Sequence, residues 1–402
     1  MDKEHKSYVR KWKFVAHMTG PWIEFIFNYS HDLSAIENIE GPVIIIPNHG
    51  CQWDPLLVGA ASKNRQMYYV MTEHMVRMPF AGKFIMSVFN PILIKKGTTD
   101  LEAVKNCIRH IKCGHTICLF AEGDHSWDGV TGKIAPATGK LVKMSKATLV
   151  TYRIEGSYLS LPRWAKGIRR GKIEGHIAGI YPPEEIKKMS AEEVQHAIER
   201  DLHFDIWEWQ RRMPGGPVEF KSRRKNKNYA KGLETLFFMC PGCANIGTLK
   251  THNNEIFCEC GFKARLLNTG FIELLSPAMD HPPYDLTTLP GWDMWQKREL
   301  KKLVEQIHAG RLETELFRDR PAILSLVKKD HKDTILSKGD ISLSFCREGG
   351  VLSVGDHSFI LDKITDMALA LNSRILFSYG KDYYQIRTKD INIRKYMLAW
   401  NT

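Results

Sequence analysis

The chain has 402 residues, 43% of them hydrophobic and 25% charged, with a formal net charge of +12. These are globular values, so disorder is excluded as the default, and no run of 18 apolar residues is present to form a spanning helix. The length predicts two or three domains, and the basic balance favours a polyanionic partner: nucleic acid, an anionic membrane surface or a phosphorylated substrate.

Residues 1–39 begin with MDKEHKSYVRKWKF, which lacks an apolar stretch and a cleavage site of the secretory kind. WKFVAHMTGPWIEFIFNY (12–29) follows, rich in Trp and Phe, flanked by Lys11 and Lys13 and interrupted by Gly20-Pro21. It predicts two short amphipathic helices lying in a membrane interface; a buried helical hairpin would look similar. From 40 to 214 short apolar runs alternate with helical stretches. Strands are predicted at 42–47, 66–71, 90–95, 116–121, 147–154 and 172–181, and helices at 54–62, 100–114 and 139–147. A closing helix is predicted over 189–212. Alternation of this kind predicts an α/β domain. Residues 215–235 are polar and basic without periodicity and read as a linker. A cysteine-bearing segment occupies 236–276. The last region, 285–402, has a helix at 292–310, seven short strand-like runs between 322 and 388, and a helix at 390–400. It predicts a small, mostly-β domain, for which a pleckstrin-homology-like barrel is one fitting shape.

Three His-x4-Asp pairs occur: His49/Asp54, His196/Asp201 and His357/Asp362. The second falls inside a predicted helix, where residues five apart point in directions about 140° apart. The third falls inside a predicted strand, where they face opposite sides. His49 and Asp54 instead flank a loop. VIIIP ends a buried strand, and Asp54 precedes Pro55 at the expected N-cap of a helix. Such a loop stands at the carboxyl edge of the sheet, where α/β folds bind ligands. The turn can bring the two side chains into contact, leaving one imidazole nitrogen to take a proton; the plainer reading is that Asp54 only caps its helix. A second strand ends in FAEGDHS, carrying Glu122, Gly123, His125 and Ser126, with a glycine that lets backbone approach a phosphate closely. NPILIKKG delivers Lys95 and Lys96 to the same edge as point charges for a phosphate.

In order, NH-x4-D, ILIKKG, FAEGDHS and LVTYRIEG resemble the four blocks of the 1-acylglycerol-3-phosphate acyltransferases, a glycerolipid family, over about residues 40 to 180. The resemblance implies an α/β enzyme in phospholipid biosynthesis that moves an acyl chain from acyl-CoA or acyl-carrier protein to the hydroxyl of a lysophospholipid. By it His49 is the general base and Asp54 its orienter. The family's Glu, Gly and Ser of the third block fall on Glu122, Gly123 and Ser126, and the second block's basic residue on Lys96. That third block is commonly Phe-Pro-Glu-Gly-Thr-Arg-Ser, so Ala121, Asp124 and His125 are departures. The fourth block has Thr151 and Tyr152 where the family usually carries proline. Another lysophospholipid or glycerol 3-phosphate would also be an acceptor of the right class. Cys51 has nothing adjacent that would activate it, and reads as structural.

Cys240-x2-Cys243 and Cys258-x-Cys260 flank a 14-residue spacer. With a glycine at each knuckle, they predict a four-thiolate structural zinc site of ribbon type; four thiols in a hairpin without metal is the alternative. The chain is therefore expected to work in the cytoplasm, peripheral or monotopic on the inner face of a membrane. A rival from another class is a basic zinc-ribbon protein binding nucleic acid through KSRRKNKNYAK (221–231). A third reading is a recruitment module whose β domain reads lipid headgroups.

Overall fold

A computed structural model of the chain describes residues 3–76, 80–95, 100–222, 228–276, 283–310, 314–328, 333–346, 349–389 and 391–402. They form two compact units, the first running to Ser222 and including Asn268–Gly270, the second holding the rest from Asn228 onward.

The first unit is built on a seven-stranded sheet. Its strands, edge to edge, are Tyr29–Asp32, Ile173–Tyr181, Thr148–Glu155, Val43–Pro47, Thr116–Cys118, Met67–Thr72 and Ile92–Ile94. The five from Thr148–Glu155 to Ile92–Ile94 are mutually parallel, while Ile173–Tyr181 runs antiparallel to Thr148–Glu155. Val43–Pro47 is buried at every position, as a strand covered on both faces must be. Its side chains alternate between two cores. Val43 and Ile45 pack with Trp12, Phe27, Leu57 and Tyr152; Ile44 and Ile46 pack with Ile117, Leu149 and Val194.

The N-terminal segment is one helix, Lys3–Phe27, continuous through Gly20-Pro21, where the sequence predicts two. Proline removes its own backbone donor and crowds the carbonyl four residues back, but one stripe of the helix (Trp12, Ala16, Ile23 and Phe27) is buried in the core and holds both halves in line. The opposite stripe is exposed and apolar: Phe14 69%, Met18 66%, Trp22 53% and Phe25 63%. Near the start of this helix, His5 stacks on His115 with centroids 4.0 Å apart, and its Nδ1 lies 2.9 Å from the Tyr68 hydroxyl. The Nδ1 atoms of His110 and His115 are 3.1 Å apart.

The predicted helix over 189–212 is two, Ala191–Leu202 and Ile206–Arg212. A Ser190/Glu193 capping box starts the first, and Asp205 caps the second by accepting from the Trp207 and Glu208 amides. The break lets Thr131 Oγ1 donate to the Leu202 carbonyl and the Ile206 amide donate to the Gly129 carbonyl. Within the first of these helices His196 is exposed, while Asp201 is buried and accepts from Thr151 Oγ1 and Tyr181 Oη. That pair does not meet.

In the second unit a four-stranded antiparallel sheet runs Lys250–His252, Glu255–Phe257, Lys263–Leu266 and Ile272–Leu274. After the helix Leu289–His308 comes a seven-stranded antiparallel sheet. Its order is His357–Ile360, Gly349–Val354, Thr334–Cys346, Thr314–Leu326, Asp382–Thr388, Arg374–Tyr379 and Ile364–Ala370. Two of these strands have 13 residues, nearly twice the predicted runs at 322–328 and 340–346. They pair along most of their length, and pairing carries them through polar stretches that look like turns in the sequence. Asp362 lies in the one-turn helix Leu361–Lys363 rather than in the strand with His357. The closing helix Arg394–Trp400 is anchored by buried charge: Arg394 pairs with both oxygens of Asp293, and Lys395 with Asp319 at 2.7 Å.

Candidate active site and cysteine cluster

Pro47 ends the central strand, and the next residue pins the loop that follows. Asn48 donates through Nδ2 to the Ile154 carbonyl at 3.0 Å and accepts the Ile154 amide at 2.6 Å. This reciprocal pair ties the loop to the neighbouring strand, alongside the Asn48 amide's bond to the Tyr152 carbonyl. Gly50 comes so close to Ser157 that a Cβ would stand 2.5 Å from its Oγ. Glycine is required here by space.

Asp54 is the first residue of the helix Asp54–Ala61, not its N-cap, and its carboxylate makes no capping bond. It turns back into the loop instead. Oδ2 accepts the Cys51 amide at 2.8 Å and lies 2.9 Å from His49 Nδ1. The aspartate side chain is fully buried, while that of His49 keeps 14% of its surface exposed. With Nδ1 facing a carboxylate, Nε2 is the nitrogen left to accept a proton. Cys51 Sγ is 3.4 Å from Asp54 Oδ1, and burial, then the Asp54 charge, push this thiol well above its ordinary pKa. It is no nucleophile.

The strand Thr116–Cys118 ends earlier than predicted because the chain turns through Phe120, whose carbonyl accepts the Gly123 amide; Gly123 sits at φ +70°. Phe120 packs its ring 4.3 Å from that of His49. Glu122 joins the two loops: one oxygen accepts the His49 amide and the other the Gly132 amide, each at 2.6 Å. Burial raises its pKa to about 8, against the pull of those two amides and with the help of Asp54 and Asp124. Its contacts make it a brace for the backbone under His49. Ser126 donates its amide to the His49 carbonyl at 2.8 Å, and its hydroxyl closes its own turn by donating to Val130 and accepting from Gly129. That hydroxyl shapes the loop. The His125 ring stands 5.5 Å from the His49 ring. Lys95 is exposed just beyond the strand Ile92–Ile94. Lys96 lies outside the described residues. A small cavity beside His49 is bordered by Asn48, Gly50, Glu122, Ser157, Tyr158 and Phe204. In it the buried Ser157 Oγ has no hydrogen-bond partner among the described residues.

The structure thus brings His49, Asp54, Glu122, His125 and Ser126 together. Sequence reasoning missed Asn48, Ser157 and an arginine, Arg163, described below. A lone polar residue carries no spacing signal, and only the fold reveals its neighbours.

In the second unit the four cysteine sulfurs lie within 4.8 Å of one another. Cys240 and Cys260 are 3.7 Å apart, and Cys243 and Cys258 are 3.9 Å apart. Thiolates bound at about 2.3 Å to one tetrahedral ion stand about 3.8 Å apart, so the donor set fits a metal. The cradle is tight: a Cβ on Gly242 would come within 3.2 Å of Cys260 Sγ, and the Gly242 amide donates to Cys240 Sγ. Residues 223–227, the middle of the basic strip, lie outside the described residues.

Residues 29–155 match the family model described as Acyltransferase, a stretch that contains both loops of the candidate site. Among solved structures the chain is similar to the 1-acyl-sn-glycerophosphate (LPA) acyltransferase PlsC of Thermotoga maritima. The identity is 17% and the TM-score 0.43, covering 53% of this chain and 86% of that one. The family match supports an acyl-transferring enzyme.

Proposed function

We propose that this protein transfers an acyl chain from acyl-CoA or acyl-carrier protein to the hydroxyl of a lysophospholipid, foremost 1-acylglycerol 3-phosphate. The observation that carries the reading is the His49–Asp54 contact at 2.9 Å, made by a fully buried carboxylate within the matched stretch. Asp54 holds the proton on Nδ1. Nε2 then takes the acceptor's hydroxyl proton as its oxygen attacks the thioester carbonyl. The C–O bond forms, the C–S bond breaks, and the imidazolium returns its proton to the departing thiolate. Glu122 keeps the His49 backbone in register through the attack. Lys95 and Lys96 are assigned to the acceptor's phosphate. Purified protein incubated with acyl-CoA or acyl-carrier protein and a panel of lysolipids, with products read by mass spectrometry, tests this. Absence of transfer to every acceptor would sink it.

The cysteine cluster we assign to one structural zinc ion, which would crosslink the two knuckles. A four-thiolate site is closed, so the ion takes no part in the transfer. For the C-terminal sheet, the strand order and closing helix support a pleckstrin-homology-like shape.

No helix among the described residues is long and apolar enough to cross a membrane. The lipid acceptor must nevertheless be met at a bilayer, and the exposed stripe Phe14, Met18, Trp22 and Phe25 supports peripheral docking there, with Lys11 and Lys13 adding attraction to anionic lipid. Phe27, which sequence alone places with the inserting aromatics, is fully buried in the core. Changing Phe14, Met18, Trp22 and Phe25 together to Ser is expected to lower binding to anionic vesicles at least about tenfold, since each buried methylene contributes roughly 0.8 kcal/mol. Activity should fall more on vesicles than on detergent-dispersed substrate. Unchanged sedimentation with vesicles would refute the docking face.

A further inference from the structure

Arg163 stands out among the buried charges of the first unit. Its side chain is 2% exposed, and the guanidinium lies 4.0 Å over the Trp127 ring, with Nη1 2.5 Å from Asp124 Oδ1. Asp124 is at the same time turned toward its neighbour: Oδ1 accepts the His125 amide at 3.0 Å and lies 3.5 Å from the ring's Nδ1. The segment carrying Arg163 is braced on this loop. Tyr158 donates its hydroxyl to the Trp127 carbonyl at 2.8 Å, and Trp164 Nε1 donates to that hydroxyl.

Two imidazoles therefore stand side by side, 5.5 Å apart, each with a carboxylate at Nδ1. Their surroundings differ. Among the described residues no arginine pairs with Asp54, whereas Asp124 is shared with one. Burial, then the Arg163 charge, lower the pKa of His125 to about 4, against the opposite pull of Asp124. A ring so placed is a poor base and a neutral one, able to make hydrogen bonds without drawing an anion. The guanidinium cannot serve a headgroup phosphate directly, because it is enclosed between Asp124 and Trp127.

We propose that Arg163 is a positioning residue of the acyl-transfer site: through Asp124, which takes the Nδ1 proton, it fixes the His125 ring beside His49 so that Nε2 accepts a hydrogen bond from an uncharged hydroxyl of the acyl acceptor. This deepens the acyltransferase reading and rests on it.

The test has one arm that needs no activity. The imidazole resonances of His125, assigned by their loss in His125→Gln, are titrated by NMR in the wild-type protein, Arg163→Met and Arg163→Lys. In Arg163→Met the midpoint should rise by about one pH unit or more toward the ordinary value near 6.5. Arg163→Lys should stay close to wild type. In the kinetic arm, Arg163→Met should raise KM for the acyl acceptor about tenfold and leave KM for the acyl donor unchanged, with Arg163→Lys restoring most of the loss. Should Arg163→Met fail to fold, Asp124→Asn breaks the same link at a partly exposed position and should raise the acceptor KM comparably.

An unmoved His125 titration would overturn the proposal. So would a KM increase confined to phosphate-bearing acceptors and absent with a monoacylglycerol, since that result would put the guanidinium on the phosphate. No acyl transfer by the wild-type protein would defeat the enzymatic reading itself, while the titration would still decide whether Arg163 governs His125.

Discussion

His49→Ala lowers acyl transfer by at least about 100-fold, the scale on which a general base contributes, with little change in melting temperature. The two halves of this expectation have separate grounds. Neither neighbour is suited to stand in for Nε2 of the proposed base: the thiol of Cys51 is buried and its pKa pushed up, and His125 is neutral and a weak base. The fold hardly depends on the ring, because the loop is held by backbone: the His49 amide on Glu122 and the His49 carbonyl on the Ser126 amide. Asp54→Asn keeps the shape of the buried group but not its charge, and should cost about tenfold at the least through the wrong imidazole tautomer. His196→Ala and His357→Ala should remain active. Initial rates with the best acceptor decide the matter, and equal loss at all three histidines would show that position, rather than chemistry, had been mistaken for function.

Protein purified without added metal is expected to carry one zinc per chain by elemental analysis, and Cys240→Ser is expected to lose it. Residues 236–275 should then unfold, seen as new rapid hydrogen exchange across the four short strands. The strands there are three or four residues long, and such a small module has little core to stand without its crosslink. Chelation of the wild-type protein should reproduce the effect, and zinc should reverse it. A metal-free protein with full exchange protection would remove the assignment.

Most of what could be read from the sequence was written locally. VIIIP reads as a buried strand because both faces need apolar side chains, and it is the centre of the sheet. His49 and Asp54 were separable from the two other pairs because a strand end and a Pro-marked helix start leave only a loop between them. The cysteines were legible through spacing alone. Features that depend on distant partners were not. Gly20-Pro21 reads as a break, yet packing on both sides carries the helix through. Asp54 looks like a cap until the Cys51 amide and His49 are seen competing for its oxygens. The helix Ala81–Phe89 and the edge strand Tyr29–Asp32 carry little local signal, the first broken by Gly82 and the second only four residues long. Arg163 lies 39 positions from Asp124, and no spacing rule connects them. Its partner loop was found in the sequence, but the cation holding that loop was not.

The histidines gathered at the start of the N-terminal helix give the fold a proton balance. His110 and His115 hold their ring nitrogens 3.1 Å apart, a contact in which one ring must donate and the other accept, so both cannot be charged. Burial lowers both, and the neighbouring Arg109 and His5 weigh further on His110 and the His5 charge on His115, which falls to about 4. An unfolded chain takes up these protons near pH 6.5, but the folded one resists until well below it. The contribution of this cluster is therefore intact above pH 6.5 and drains away as the medium is acidified toward 4. The cluster joins the start of the long helix to the sheet through His5, which stacks on His115 and meets the Tyr68 hydroxyl, so the same protons bear on the seat of that helix.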